Sequence, residues 1–159
     1  MILSLSLNLL VALIWLFLQP QPSGGAFVIG LLVGFGLIAL FRPVLNSHGY
    51  VRRTVAVVRF VFVFAWEFLL ASWQIAKAAL FRSSGSLSPA IVRYETGGLS
   101  RFEALLLSHC ISLTPGTTTL EITPDLSSFT LHVLDCDDAA AVNAAIDRTL
   151  KSGILAFTR

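Results

Sequence analysis

The first 41 residues of this chain contain no aspartate, glutamate, lysine or arginine, and charged residues make up only 13 % of its 159 residues. An average soluble domain carries about a quarter charged residues, so this composition indicates a membrane protein. The few charges are unevenly divided: residues 1–82 hold six basic and one acidic side chain (net +5), and residues 83–159 hold five basic and eight acidic (net −3). The division predicts a membrane part over 1–82, a linker over 83–88 and a small water-exposed α+β domain over 89–159.

The sequence is also poor in the residue patterns that carry chemistry. Its two cysteines, Cys110 and Cys136, provide no disulfide framework, and buried packing is the expected role for both. The neighbouring histidines lack the spacing typical of zinc ligands. Nucleotide-binding glycine motifs, GxSxG and HExxH are missing. We therefore expect no catalytic residue, no metal and no cofactor, and the net charge of +2 does not suggest a nucleic-acid partner.

Two short apolar runs predict a helical hairpin, with helices at about 2–18 and 26–41 joined by the proline-rich segment QPQPSGG. Each helix would be about 24–26 Å long, slightly shorter than the roughly 30 Å hydrocarbon core of a bilayer. Gly30 and Gly34 form a small-xxx-small pair, which lets another helix approach closely, although glycine is also common in membrane helices. They are candidate helix-packing contacts.

A third helix is predicted at 54–81, after a polar loop from Arg42 to Arg53. Its polar residues fall within an arc of about 80° at 100° per residue: Arg52, Arg59, Glu67, Gln74 and Lys77. Such a striped helix either spans the bilayer with the stripe toward a protein partner or lies in the membrane interface. Arg59, Glu67 and Lys77 are the candidate partner contacts, and the arginines of the loop favour a cytoplasmic location for it.

The C-terminal part predicts the order β-α-β-β-α. Ser100 and Glu103 match a capping box that begins a helix at Arg101, and this helix is expected to end near Leu113. Alternating runs at 117–123 and 128–135 predict a hairpin. Either Asp137 or Asp138 would cap a last helix extending to Lys151. The first two strands are expected to run parallel to each other and the third antiparallel.

The tetrapeptide Thr114-Pro115-Gly116-Thr117 interrupts the apolar helix and precedes a β-branched strand. Proline disfavours a helical conformation at Thr114, and Pro-Gly suits the central positions of a type II turn. The pattern therefore predicts a structural corner rather than a reacting site.

Three stretches together resemble a known family: LNLLVALIWLFLQ in the first helix, the corner ISLTPGTTTLEI, and the following LHVLD. The chain resembles the E-type component of the multisubunit Na+(K+)/H+ antiporters of the Mrp, Mnh or Pha type, over nearly its whole length. The corner is the most specific match; the family has threonine where Ser112 stands.

The resemblance implies an accessory component that supports assembly or activity of larger transport subunits. It also implies a multi-pass protein of the bacterial inner membrane with a cytoplasmic C-terminal domain. Its partners would be the other antiporter subunits and the lipid bilayer. The alternative function is a stand-alone, membrane-anchored ligand-binding or regulatory module.

Overall fold

The computed structural model describes residues 2–159, apart from the side chain of Ser84. The chain divides into two compact units, residues 1–55 and 56–159, and the division falls inside a long helix. The elements in chain order are α1 (Ile2–Phe17), α2 (Gly24–Leu40), α3 (His48–Phe81), β1 (Ala90–Glu95), α4 (Arg101–Leu113), β2 (Thr117–Ile122), β3 (Ser128–Val133), α5 (Ala139–Ile146), a π-helical turn (Asp147–Lys151) and α6 (Ser152–Thr158). A helical N-terminal part thus precedes a small domain of three strands and several helices.

The first unit contains the hairpin of α1 and α2. The helix α2 begins at Gly24 rather than at residue 26, because the hydroxyl of Ser23 accepts a hydrogen bond from the backbone N–H of Ala26 and caps it. The two helices are 16 and 17 residues long. Among the described residues, only α3 is long and apolar enough to cross a membrane by length and composition.

The predicted start of α3 at residue 54 is wrong, since the helix begins at His48. Half of the predicted polar loop therefore belongs to it. The cause is a long-range contact: Tyr50 is buried, and its hydroxyl accepts a 2.7 Å hydrogen bond from the side-chain amide of Asn8 in α1. Burial of Tyr50 favours helix over a stretch whose polar composition suggested a loop.

The second unit is built on an antiparallel sheet of strand order β1-β3-β2. Both outer strands run antiparallel to β3, so β1 and β2 share a direction, as predicted, but are separated by β3 rather than paired. In β2 the register shifts between Thr119 and Glu121, which marks a bulge. The sheet packs its buried face on α4 and the C-terminal helices around Tyr94, Leu107, Phe129, Leu131 and Ile154.

The helix α4 has the predicted bounds and the predicted cap. Ser100 accepts a hydrogen bond from the backbone N–H of Glu103, and the Glu103 carboxylate accepts one from the backbone N–H of Ser100. This reciprocal pair satisfies two of the N–H groups that a helix start leaves unpaired. A strong local signal therefore determines where this helix begins.

The predicted end of the last helix at Lys151 is wrong, because helical structure continues to Thr158. Asp138 caps α5, as expected for one of the two aspartates, by accepting a hydrogen bond from Ala140. The extension passes through the π-helical turn and buries Ile154 in the core. Gly153 also lies against the ring of Phe60 from α3, where a larger side chain would clash.

Candidate functional site

A groove of about 680 Å³ lies inside the second unit, between α3, the Thr114–Thr117 corner and the C-terminal helices. Its walls are mainly apolar, with charged groups at a few positions. The lining residues that the sequence had singled out are Glu67, Lys77, Thr114, Pro115, Gly116 and Thr117. The structure thus brings the conspicuous corner and two of the stripe residues to the same place.

The corner is a hydrogen-bonded turn, as predicted. The N–H of Thr117 donates to the carbonyl of Thr114 over 3.3 Å, and Gly116 has a φ of +92°, the left-handed value that this position of a type II turn requires. The side-chain hydroxyls of Thr114 and Thr117 donate to the carbonyls of Cys110 and Ile111 at 2.9 and 2.8 Å. The two threonines therefore complete the C-terminal end of α4.

The corner also contacts α3 directly. A Cβ atom placed on Gly116 would lie 3.1 Å from the Cδ1 atom of Ile75. Glycine at this position therefore serves both the turn and the close packing of α3. The carbonyl of Gly116 further accepts a 2.9 Å hydrogen bond from the N–H of Leu134, which connects the corner to the end of β3.

The α3 wall of the groove contributes the polar residues Glu67, Gln74 and Lys77. Glu67 is half-buried, whereas Gln74 and Lys77 are exposed. Among the described residues, neither Glu67 nor Lys77 forms an ion pair. Arg59, the remaining charged candidate, is exposed on α3 and lies outside the groove lining.

One end of the groove is held by an ion pair that the sequence did not reveal. The Arg82 guanidinium donates to the Asp135 carboxylate, which also accepts a 3.2 Å hydrogen bond from the backbone N–H of Ser88. The hydrogen bond from Arg82, followed by that from Ser88, lowers the pKa of Asp135 below its usual range. Asp135 therefore ties the start of the linker to β3 instead of capping a helix.

Gly30 and Gly34 lie elsewhere, in the first unit, and both face α1. A Cβ atom on Gly30 would be 2.9 Å from the Cα atom of Ala12, and one on Gly34 would clash with the side-chain oxygen of Asn8. The two glycines therefore serve close packing within the hairpin. Gly36, by contrast, faces open space.

Two polar networks in the small domain could not be anticipated from sequence patterns. Tyr94 donates a 2.6 Å hydrogen bond to Asp147, which also pairs with Lys151 at 3.1 Å. Glu103, buried beneath the end of α6, accepts hydrogen bonds from Thr158 and Arg159. Both networks join residues more than 50 positions apart, so no local pattern could have indicated them.

Both cysteines are free thiols, and Cys110 is buried in the core, where burial raises its pKa. Over residues 2–159 no three histidine, cysteine, aspartate or glutamate side chains converge in a way that could hold a metal ion. The groove is therefore suited to contact with another molecule through its walls rather than to chemistry on a substrate.

Comparison with known proteins gives consistent matches over almost the whole chain. A family model described as Na+/H+ ion antiporter subunit matches residues 8–156. The E-type component of the Na+/H+ antiporter of Bacillus subtilis (strain 168) is 28 % identical over 153 residues, covering 96 % of each chain. The corresponding component from Alkalihalophilus pseudofirmus is 30 % identical over the same length and coverage.

A solved structure shares the fold. A chain in the membrane-bound sulfane sulfur reductase, an archaeal respiratory membrane complex, superposes with a TM-score of 0.56 and 23 % identity, covering 95 % of this chain and 96 % of that one. At this identity the likeness concerns the fold alone.

Proposed function

The chain belongs to the family of E-type components of Na+/H+ antiporters, and from this premise we propose that it is an accessory subunit of a multisubunit monovalent cation/proton antiporter. The match over residues 8–156 carries the proposal, because it includes both the helical part and the small domain. The protein supports assembly or activity of the larger transport subunits and does not itself act as an enzyme. We place it in a bacterial inner membrane, with residues 1–82 associated with lipid.

The groove is the proposed contact for a neighbouring subunit. Its walls are mainly apolar, and Glu67 and Lys77 bring opposite charges to it from the same helix, about 15 Å apart along the axis. A partner segment with an apolar surface and complementary charges would fit this arrangement. Charge complementarity of this kind fixes the register of two partners more than it adds affinity.

Copurification tests the proposed function. A chain tagged at its C-terminus and extracted from native membranes in mild detergent should bring several larger polytopic subunits with it. Recovery of the tagged chain alone, as a monomer or homo-oligomer, would contradict an accessory role. It would favour the stand-alone membrane-anchored module that the sequence left open.

The groove contact needs a separate pair of variants. Ala78 lines the groove, whereas Ala76 lies on the opposite side of the same helix and is exposed. Ala78→Phe should reduce the recovery of partner subunits at least severalfold, and Ala76→Phe should leave it unchanged. Equal recovery with both variants, from chains that melt at the same temperature, would exclude the groove as the contact.

A further inference from the structure

The part of α3 that belongs to the second unit has two unlike faces. One face packs on the small domain over most of its length. The rings of Phe60 and Phe157 have their centroids 5.6 Å apart, Phe64 packs against the same core, and Ile75 contacts the corner at Gly116. Ala78, one turn before the helix end, still lines the groove. The domain therefore accompanies α3 for about 27 Å, from residue 60 to residue 78.

The opposite face is apolar and bare. It presents five large side chains, each 61–76 % exposed, which fall within an arc of about 60° at 100° per residue: Phe62, Trp66, Leu69, Trp73 and Leu80. This arc is centred roughly opposite Phe60. A continuous exposed apolar strip of this kind marks a surface that another apolar phase covers.

A transmembrane orientation does not fit this arrangement, although α3 has the length to span. A spanning helix needs about 20 residues in the hydrocarbon core. Over residues 60–78 one side of α3 is occupied by a domain that carries exposed charges such as Arg93, Glu95 and Asp125. If this stretch crossed the bilayer, those charges would enter the hydrocarbon at high cost.

We propose that residues 56–81 of α3 lie along the membrane–water interface, with the Phe62–Leu80 face inserted in lipid and the small domain on the aqueous side. Two tryptophans on the inserted face suit this position, because tryptophan is enriched at the level of the lipid headgroups. Arg59 and Lys77 lie on one flank of the apolar face, both exposed and 18 residues apart. There they can reach the phosphates of anionic lipids.

The composition of the face favours lipid over a protein partner. Apart from the two indole N–H groups, its five side chains offer no hydrogen-bond donor or acceptor. Protein interfaces usually carry about one hydrogen bond per 100–200 Å². The proposal concerns the bilayer alone, so it stands or falls independently of whether the chain copurifies with other subunits.

Depth-dependent fluorescence quenching tests the orientation. The full chain, with Trp15, Trp66 and Trp73 replaced by phenylalanine, receives a single reporter by Phe62→Trp, Leu69→Trp or Leu80→Trp. Each variant is reconstituted in phosphatidylcholine–phosphatidylglycerol vesicles whose acyl chains carry bromine at a shallow or a deep position. Because Phe62 and Leu80 are about 27 Å apart along the axis, a spanning helix would place the three reporters at different depths.

An interfacial helix predicts that shallow bromine quenches all three reporters to the same degree, within about 20 %, and that deep bromine quenches each of them less. Strong deep quenching at Leu69 with weak quenching at one of the others would show a spanning helix and overturn the proposal. Absence of quenching at all three positions would show that protein covers the face, and would overturn it equally.

A second measurement guards against perturbation by the replacements. The chain with only Trp15→Phe keeps its native Trp66 and Trp73, and removing either in turn leaves one native reporter. The two should show the same depth, although they lie about 10 Å apart along the helix. A depth difference approaching that distance would contradict an interfacial helix without any new side chain having been introduced.

Discussion

At the residue scale, Gly116 combines two demands, a left-handed backbone and a tight contact with Ile75. Gly116→Ala should therefore lower the free energy of unfolding by about 1–3 kcal/mol, the usual cost of a strained backbone position. Thermal unfolding of the purified chain in detergent measures it. Gly98→Ala is the matched control, since Gly98 has a φ of +77° but faces open space. If the two variants lose the same stability, the contact with Ile75 contributes nothing.

A second residue-scale prediction concerns acid stability. The hydrogen bond from Arg159, followed by those from Thr158 and Ser100, holds the pKa of Glu103 at about 2, below its ordinary 4.5. Because the folded value is the lower one, the carboxylate stabilises the fold fully above about pH 4.5, and this contribution is lost as the pH falls toward 2. Glu103→Gln should be less stable at pH 7 by about 1–3 kcal/mol and show a flatter dependence of stability on pH between 4.5 and 2.

Urea unfolding at several pH values measures that slope. Asp125 provides the comparison, since hydrogen bonds from Thr123 and Ser127 hold its pKa at about 2 in an exposed turn. Asp125→Asn should flatten the profile in the same window without a comparable loss of stability at pH 7. An unchanged profile in Glu103→Gln would refute the assigned role of the buried carboxylate.

At the element scale, the π-helical turn between α5 and α6 coincides with the Tyr94–Asp147–Lys151 network. Burial opposes ionisation of Asp147, but the hydrogen bond from Tyr94 and the pairing with Lys151 outweigh it and lower its pKa. Burial, followed by Asp147, raises the pKa of Tyr94. Tyr94→Phe keeps the ring and removes the hydroxyl, so it should cost about 1 kcal/mol.

Thermal unfolding of Tyr94→Phe beside Lys151→Met checks this assignment. The lysine lies partly in solvent, so its replacement should cost less than that of the tyrosine hydroxyl. A larger loss in Lys151→Met would mean that the ion pair, rather than the hydrogen bond from Tyr94, holds the turn in place.

The elements also show where sequence reasoning works. Ser100 and Glu103 determine the start of α4 through contacts three residues apart, and Pro115-Gly116 determine the corner that ends it. Both could be predicted because the determining atoms are neighbours in the sequence. The start of α3 depends on Tyr50 meeting Asn8, and the extension to α6 depends on Gly153 meeting Phe60. Such contacts span 42 and 93 residues and leave no local signature.

The groove followed the same rule. The sequence singled out both of its walls, the corner for its family signature and Glu67 with Lys77 for their charge within an apolar helix. It could not show that they meet, because the contact of Ile75 with Gly116 joins parts of the chain about 40 residues apart.

At the scale of the whole molecule, the second compact unit begins inside α3, at residue 56, and not after the linker. The domain core includes Phe60 and Phe64. A fragment of residues 83–159 should therefore unfold at least about 10 °C below a fragment of residues 56–159, since burying each large apolar side chain contributes about 1.5–3 kcal/mol. Calorimetry in the same detergent compares them. Equal melting temperatures would show that the domain is complete without α3.

The amide of Asn8 has a consequence for how this sequence can change over evolutionary time. Its nitrogen donates to Tyr50 and its oxygen lies against Gly34, so three helices constrain one small group of atoms. Any side chain at position 34 would demand a smaller residue at position 8, and loss of the hydroxyl at position 50 would leave a buried amide without its acceptor. Positions 8, 34 and 50 are therefore expected to vary together among related lineages, as one inherited unit.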